Sequence, residues 1–263
     1  MKVVISQPMY FPWAGFMEMM ALADIFIWHD DITFAKKSFT NRIQVKTQTG
    51  VKWMTIPLRD RRASTLIRDL APAQTDWIGA HRRFLAANFA HYAYRDVALE
   101  IFDAATARTP LCELLKASCA VQADYLGVTP PEILNVSSLD VAGASWPKVL
   151  DMVKAVGGDR YISAAGGANY IDHEAFEAAG VSVEYMAYDP KPWAQTHGAF
   201  TPFVTGLDLI AAVGQSAQTF LRPATVPWCQ RLKEAEAAAK RNEARSEKYS
   251  EKHCEKHCEK RSA

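Results

Sequence analysis

Short apolar segments alternate with amphipathic helical segments along most of this 263-residue chain. The first apolar segment, Val3 to Ile5, is followed from Gly15 by apolar residues at helical spacing, and then by a second apolar segment, DIFIWHDD. A helical connection can join two parallel strands by a right-handed crossover. Because repetition of such units is typical of the α/β class, the alternation predicts a mainly parallel sheet.

The same alternation returns in the second half of the chain. EILNVSS and GGDRYISAAGG are predicted strands on either side of a predicted helix, Trp146 to Val156. A predicted helix from His173 to Ala178 then precedes a strand from Val181 to Tyr188. Two segments interrupt this order. The first, ITFAKKSFTNRIQVKTQTGVKWMTIPL, is typical of a hairpin or two short strands around Gly50. The second, residues from about 76 to 127, has the periodicity of a helical insertion.

The composition changes at about residue 229. Residues 229–263 are charged, rich in helix formers and nearly free of large apolar side chains, so they have little to bury. We therefore expect a single α/β domain over residues 1–228, followed by a charged tail that is flexible or helical. In this tail EKHCEKHC spaces like residues four apart, which could hold zinc or copper on one face of a helix. We interpret it as a low-complexity repeat and predict no metal site.

Charge and cysteine content limit the possible partners and location. The formal net charge is +1, with no excess of Lys and Arg to attract nucleic acid or an anionic membrane surface. No apolar run has the length of a signal peptide or a membrane span. The five cysteines are an odd number in a long chain, which argues against a disulfide framework. These features predict a cytoplasmic protein. Its partner, which we expect to be a small-molecule substrate, has to be argued from the candidate sites, and the oligomeric state is unknown.

The loop QPMYFPWAGF follows the first predicted strand and is not built from the residues of a simple turn. Ligands of parallel sheets bind beyond the carboxyl ends of the strands, where this loop begins. Gln7 offers a donor and an acceptor, while Tyr10 and Trp13 offer flat faces with polar edges that the prolines hold in place. The loop is interpreted as the wall of a pocket; in the alternative, its rings only cover the top of the sheet.

WHDD, at the end of the second predicted strand, is a candidate catalytic segment. His29 could act as a general base with Asp30 as its orienting partner. In another interpretation, Asp30 or Asp31 holds a metal or a sugar hydroxyl. The plainest alternative for Asp31 is a helix cap or a turn.

Two further segments are candidates for binding an anion. KKSFTNRIQVK places Asn41, Arg42 and Lys46 within a short reach, and the Arg42 fork with the lysine charge could grip a phosphate or carboxylate; a solvated hairpin would have the same composition. In SAAGGANY, Gly166 and Gly167 allow close approach of the backbone and present N–H groups to an anion. GxGxxG, GxxxxGK[ST], HExxH and GxSxG are absent from the sequence, so it identifies no cofactor.

The segment SQPMYFPWAGFMEMMALADIFIWHDDITFAKKSFTNRIQVKT strongly resembles the opening of the WbqC-like family, with its QPxYxPWxGY-like start, AD-x-F-x-x-x-D strand and NR-containing basic segment. SSL, DRYISAAGGANYID and PWAQTHGAFTPFVTGLDLIAAVG resemble later blocks, and the likeness covers most of residues 1–220. The matching positions of the first block are Gln7, Pro8, Tyr10, Pro12, Trp13, Gly15, Asp24, Asp30, Asn41 and Arg42. The chain departs from the pattern at Phe16, where tyrosine is common, at Thr205, where serine is usual, and in having His29 beside the acidic strand end. The resemblance implies a role in bacterial surface polysaccharide (O-antigen) biosynthesis.

The first strand–loop–helix–strand unit is also similar to that of nucleotidylyltransferases. Those enzymes carry an HxGH motif at the start of the helix, where it stabilises the transferring phosphate. This chain has PWAGF there, without either histidine. The similarity predicts a Rossmann-like fold more strongly than it predicts adenylyl transfer.

Three functions follow as hypotheses. The first is a transferase acting on a nucleotide-linked or lipid-linked sugar, with Gln7, Tyr10 and Trp13 forming the pocket, Asp30 or His29 as base, and Arg42 with Lys46 holding a phosphate. The second is a non-catalytic binding or scaffold protein of a glycan-assembly complex, and the third is a divergent nucleotidylyltransferase.

Overall fold

Strands and helices alternate in the structure, a computed structural model that describes residues 1–59, 62, 64–74 and 76–237. The strands are β1 (Lys2–Ser6), β2 (Ile25–Trp28), β3 (Arg42–Thr47), β4 (Gly50–Thr55), β5 (Glu132–Asn135), β6 (Arg160–Ser163), β7 (Ser182–Met186) and β8 (Thr225–Pro227). The α-helices are α1 (Ala14–Ala21), α2 (Trp77–Asn88), α3 (Arg95–Thr106), α4 (Leu111–Tyr125), α5 (Ser145–Ala155), α6 (His173–Ala178) and α7 (Gly206–Val213).

A six-stranded sheet has the strand order β5-β2-β1-β6-β7-β8. The pairs β5–β2, β2–β1, β1–β6 and β6–β7 are all parallel. The prediction of an α/β fold with a mainly parallel sheet is confirmed. From β1 the chain adds β2 and β5 on one side and then returns to add β6 and β7 on the other, so the order of addition reverses between β1 and β6.

β3 and β4 form a separate antiparallel hairpin, as the alternation around Gly50 predicts. The backbone of Gly50 has a φ of 103°, a conformation that glycine adopts without steric cost. The hairpin contacts α2, and the backbone N–H of Thr205 donates to the carbonyl of Gln44 in β3 at 2.9 Å.

Helix α1 is buried along almost its whole length because other elements pack on both of its sides. Phe16 of α1 lies edge-to-face against Phe26 of β2, with ring centroids 6.1 Å apart. The helix also packs against α4 and α7. This position explains why AGFMEMMA lacks a polar face: a helix covered on both sides has little surface for water.

Helices α2, α3 and α4 occupy the segment that the sequence predicts as a helical insertion. α3 packs against α2, α4 and α7. Its Phe102 stacks on Phe11 of the first loop, with ring centroids 5.2 Å apart. The insertion therefore supplies much of the apolar surface against which the QPMYFPWAGF loop packs.

The chain divides into two units, Met1–Thr225 and Val226–Ala263. In the second unit, residues 228–237 are helical. The EKHCEKHC segment lies outside the described residues, so its interpretation as a repeat stays a prediction, as does the single-domain boundary at residue 228. Over the described residues, no helix is both long and apolar enough to cross a membrane, and no group of three His, Cys, Asp or Glu side chains could hold a metal ion.

Candidate functional site

A cavity of about 430 Å³ lies beyond the carboxyl ends of β1 and β6, where the order of strand addition reverses. We call it the sheet-end cavity. Its polar lining residues are Ser6, Gln7, His29, Ser145, Tyr161, Ser163 and Tyr170, and Ala164, Gly166 and Gly167 contribute further surface. In open α/β sheets the connections leave two such strands in opposite directions, which opens a crevice between them.

His29 contributes its imidazole ring to the lining of the sheet-end cavity. It directly follows β2, and its backbone N–H donates to the Ser6 carbonyl at 2.9 Å, which holds it beside the end of β1. Its Nε2 lies 3.3 Å from Oδ1 of Asp31, and the Lys148 ammonium of α5 donates to Oδ2 of Asp31 at 2.7 Å. Neither His29 Nε2 nor Asp31 Oδ1 has a hydrogen-bond partner among the described residues.

Burial lowers the pKa of His29, and the positive charge of Lys148 lowers it further, while Asp31 and Asp30 act in the opposite direction. The lowered pKa favours the neutral form of the imidazole at pH 7. A neutral imidazole on a cavity wall can accept a proton from a hydroxyl, which is the chemistry of a general base.

Asp31, rather than the expected Asp30, is the carboxylate beside His29. Successive residues after a strand end still tend to alternate in direction, so residues 29 and 31 share a side. Asp30 instead accepts from the Lys116 ammonium of α4 at 2.7 Å, and the Cys112 thiol lies 3.7 Å from the same carboxyl oxygen. The contacts of Asp30 tie β2 to α4; its predicted catalytic role has no support from its position, which is outside the cavity lining.

Gly166 and Gly167 lie in the 3-10 turn Ala165–Asn169 that follows β6, and both line the sheet-end cavity. A Cβ atom at Gly166 would meet nothing within 4 Å, so this residue presents its backbone to open space. A Cβ atom at Gly167 would lie 2.2 Å from Ser163 Oγ. The first glycine thus leaves room in the cavity, whereas the second allows the turn to pack on β6.

Tyr10 and Trp13 are not part of the sheet-end cavity lining. Tyr10 is fully buried, its ring packs on Trp77 at 5.9 Å, and its hydroxyl is 2.9 Å from Nδ1 of His81. Trp13 packs on Phe39, with ring centroids 4.9 Å apart. These contacts match the alternative in which the aromatic rings cover the top of the sheet; their role in binding a substrate stays a prediction.

Gln7 is the residue of this loop that does line the cavity. Its Oε1 accepts a long hydrogen bond of 3.5 Å from the Thr40 hydroxyl. Gln7 therefore connects the cavity wall to the segment that precedes β3.

Asn41 and Arg42 line a different cavity, of about 410 Å³, together with Phe34, Lys36, Lys37 and Thr55. We call it the basic cavity. Lys46 lines neither cavity: its buried ammonium donates to Oε1 of Gln195 at 3.0 Å and to two backbone carbonyls of the 198–199 segment. The predicted site is thus brought together in part, since Gln7, His29, Gly166 and Gly167 share one cavity.

Several lining residues are not among the sequence predictions. Ser163 ends β6 and Ser6 ends β1, and a search for polar residues at all strand ends would have found them. Ser145 and Lys148 begin α5, more than one hundred residues from His29 in the chain. No sequence signal links them to His29, because only the folded sheet brings α5 to this crevice.

Comparisons with known proteins agree with the sequence resemblance. The model of the WbqC-like protein family matches residues 7–220. A protein of Mycobacterium tuberculosis (strain ATCC 25618 / H37Rv), named as uncharacterised, is 30% identical over 230 residues, which cover 84% of this chain and 97% of the relative. No solved structure matches the chain.

Proposed function

Because the chain belongs to the WbqC-like protein family, we propose that it is a transferase of bacterial surface polysaccharide (O-antigen) synthesis that acts on a nucleotide-linked sugar. The observation that carries this proposal is the sheet-end cavity, with His29 in its wall at the point where strand order reverses. When the strands of the sheet are numbered in chain order, they lie in the order 3-2-1-4-5-6. This order supports the proposal, because nucleotide-binding sheets of the Rossmann type have it.

The dimensions and lining of the cavity suit a ligand of this class. A volume of about 430 Å³ falls within the range of small-molecule pockets. Hydroxyl groups of Ser6, Ser163 and Tyr170 surround it and can exchange hydrogen bonds with sugar hydroxyls. The open backbone at Gly166 allows a phosphate or ribose to approach closely.

His29 would act as the general base of the transfer. In the proposed step, an acceptor hydroxyl gives its proton to the neutral imidazole while its oxygen forms a bond to the transferred group, and the bond from that group to the donor breaks. The imidazolium that forms is then stabilised by the Asp31 carboxylate, whose Oδ1 is 3.3 Å away. Lys148 holds this carboxylate in place through its other oxygen.

Ligand binding is tested by thermal unfolding of the full chain with a panel of nucleotides and sugar nucleotides. A ligand that binds the folded state raises the melting temperature by mass action. The variant Gly166→Ala places a methyl group in the cavity and should reduce that rise. Gly79→Ala in α2 is the matched control, because its methyl group would approach only the end of the Arg83 side chain, at 3.3 Å. A panel without any stabilising nucleotide would contradict the proposal.

The role of His29 is tested by turnover of whichever sugar nucleotide stabilises the protein. His29→Gln should retain ligand-induced stabilisation and lose turnover by about a hundredfold or more, as expected for loss of a general base. His91→Gln, at an exposed position, should keep wild-type turnover. Equal turnover in both variants would show that His29 is not the general base. Release of pyrophosphate from a nucleoside triphosphate would instead identify a nucleotidylyltransferase.

A further inference from the structure

The basic cavity brings together positive side chains that have no acidic partner among the described residues. Lys36, Lys37 and Arg42 line it together with Phe34, Asn41 and Thr55, and none of these lining residues is acidic. In the part of the chain that the structure describes, the ion pairs all join other residues. Like charges so close together repel each other, and an anion among them would remove that repulsion.

The guanidinium of Arg42 is held in a fixed position at this cavity. Its central carbon lies over the Trp53 ring, 3.9 Å from the ring centroid. One of its terminal nitrogens donates to the Lys37 carbonyl. Its Nε is buried and has no hydrogen-bond partner among the described residues. A guanidinium that is already oriented, and that has N–H donors without a partner, loses little conformational entropy when it binds an oxyanion.

The surroundings of Arg42 are also held by the fold. Asn41 is buried, and its side-chain amide donates to the carbonyl of Ile56, the residue directly after β4, at 3.0 Å, so this part of the cavity lining is tied to the end of the hairpin. Arg42 itself pairs with Thr55 across the hairpin. The side chains of Lys36 and Lys37 are exposed at the mouth. The cavity thus combines a half-buried arginine, held by its contacts, with two exposed lysines.

We propose that the basic cavity is a binding site for a phosphate or diphosphate group. Arg42 would contact the anion through its fork, and Lys36 and Lys37 would close over it as point charges. A phosphate in this cavity does not require a nucleotide in the sheet-end cavity, since the two share no lining residue. The phosphate could belong to a nucleotide or to an alkyl diphosphate, and both carry the group that the cavity would recognise.

A polar contact links the wall of the sheet-end cavity to the residue that precedes Asn41 and Arg42. The Thr40 hydroxyl donates to Gln7, and Thr40 directly precedes these two residues, which line the basic cavity. A change at Gln7 in the sheet-end cavity can therefore affect the position of Asn41 and Arg42 in the basic cavity through Thr40. This contact is the reason for testing the cavities with separate variants.

The test is calorimetric titration of the full chain with inorganic pyrophosphate, followed by a nucleoside diphosphate and a short alkyl diphosphate. Arg42→Gln should weaken pyrophosphate binding by about tenfold to a hundredfold, the range for loss of a charge-assisted hydrogen bond. Lys36→Gln and Lys37→Gln should weaken it less, and the binding should decrease with added salt. The thermal unfolding of each variant shows that the hairpin remains folded.

Lys52→Gln is the matched control, because Lys52 lies on the same hairpin, in β4, but does not line the cavity. It should leave pyrophosphate binding within about twofold of wild type, as expected for an exposed charge outside the site. Gly166→Ala in the sheet-end cavity should also leave it unchanged. Equal losses for Arg42→Gln and Lys52→Gln, or no binding of pyrophosphate, would overturn the proposal. Tighter binding of the nucleotide or of the alkyl diphosphate would identify which molecule carries the phosphate.

Discussion

Nε2 of His29 lies 3.3 Å from Oδ1 of Asp31, whose other carboxyl oxygen is 2.7 Å from the Lys148 ammonium. A histidine that lines the sheet-end cavity thus contacts a carboxylate, and that carboxylate contacts an ammonium group. Their charges act on the imidazole in opposite directions, and burial lowers its pKa more than any of them. The protonation of His29 can therefore be adjusted by changing either neighbour.

The titration of His29 should move in opposite directions in two variants. Lys148→Gln removes a positive charge and should raise the pKa of His29, whereas Asp31→Asn removes a negative charge and should lower it. Imidazole nitrogen shifts in NMR spectra, followed against pH, measure both changes. Lys154→Gln, on an exposed position of the same helix α5, should leave the titration unchanged. A shift of the same sign in both variants would show that the three groups do not interact as their positions indicate.

The two glycines after β6 should respond differently to alanine. At Gly167 the added Cβ atom would lie 2.2 Å from Ser163 Oγ and 3.0 Å from Cδ1 of Ile171, so Gly167→Ala should reduce the free energy of unfolding by about 1–3 kcal/mol through overpacking. At Gly166 the methyl group meets open space, and Gly166→Ala should leave stability unchanged or raise it by up to about 1 kcal/mol. Urea unfolding compares the two.

A second substitution distinguishes the clash from other effects at Gly167. Ser163→Ala removes the oxygen that the new methyl group would meet, although the Ser163 Cβ remains 3.2 Å from it. Part of the lost stability should return in the double variant Ser163→Ala/Gly167→Ala. If the two substitutions change the free energy of unfolding additively, the loss at Gly167 comes from the backbone of the turn and not from the clash with Ser163.

Asp30 should contribute more to stability than an exposed ion pair does. Its carboxylate is buried and bonded to the Lys116 ammonium at 2.7 Å. Asp30→Ala removes the shortest ion-pair contact of that ammonium, whose side chain is only 12% exposed, while Glu113 and Asn135 still accept from it, so the loss should cost about 2 kcal/mol. Asp103→Ala is the control: its bond to Arg82 joins side chains that are 44% and 47% exposed, and its loss should cost much less than the loss of Asp30 because water screens exposed ion pairs. A similar cost for both would mean that Asp30 is not a structural anchor of β2.

Asp208 should make stability depend on pH. The carboxylate is buried and accepts from Trp193 Nε1 at 2.7 Å and from the Tyr92 hydroxyl at 2.9 Å, yet burial raises its pKa to about 6. The folded state then binds a proton more tightly than the unfolded chain, so this stabilisation is present below about pH 4 and is lost as the pH rises through about 6. The change amounts to roughly 2–3 kcal/mol.

The variant Asp208→Asn isolates this contribution. An amide does not titrate, so the difference in unfolding free energy between wild type and variant should fall between pH 4 and pH 7. Denaturant unfolding across that range measures it. A difference that is constant with pH would show that Asp208 has the same pKa in both states.

The periodicity of apolar residues was sufficient to predict the sheet and most of its helices, because burial of one face or one stripe has a local signature. The helix predicted from His173 to Ala178 is α6, and the helix predicted from Trp146 to Val156 is α5 shifted by one residue. Helix α7 and strand β8 were missed. Both are short and lie in a segment rich in proline and glycine, where periodicity is weak.

Polar residues at strand ends could be recognised from the sequence as candidates, since parallel strands all end at one edge of a sheet. Gln7, His29, Gly166 and Gly167 were found in this way and do share a cavity. The sequence could not show that Tyr10 turns inward to His81, that Lys46 is buried against residues 195–199, or that Asp31 rather than Asp30 faces His29. Those outcomes depend on which side chains from distant elements occupy the same space. His81 is 71 residues from Tyr10 and Gln195 is 149 residues from Lys46, while Lys116 and Lys148, from α4 and α5, bind Asp30 and Asp31. Local spacing carries no information about such contacts.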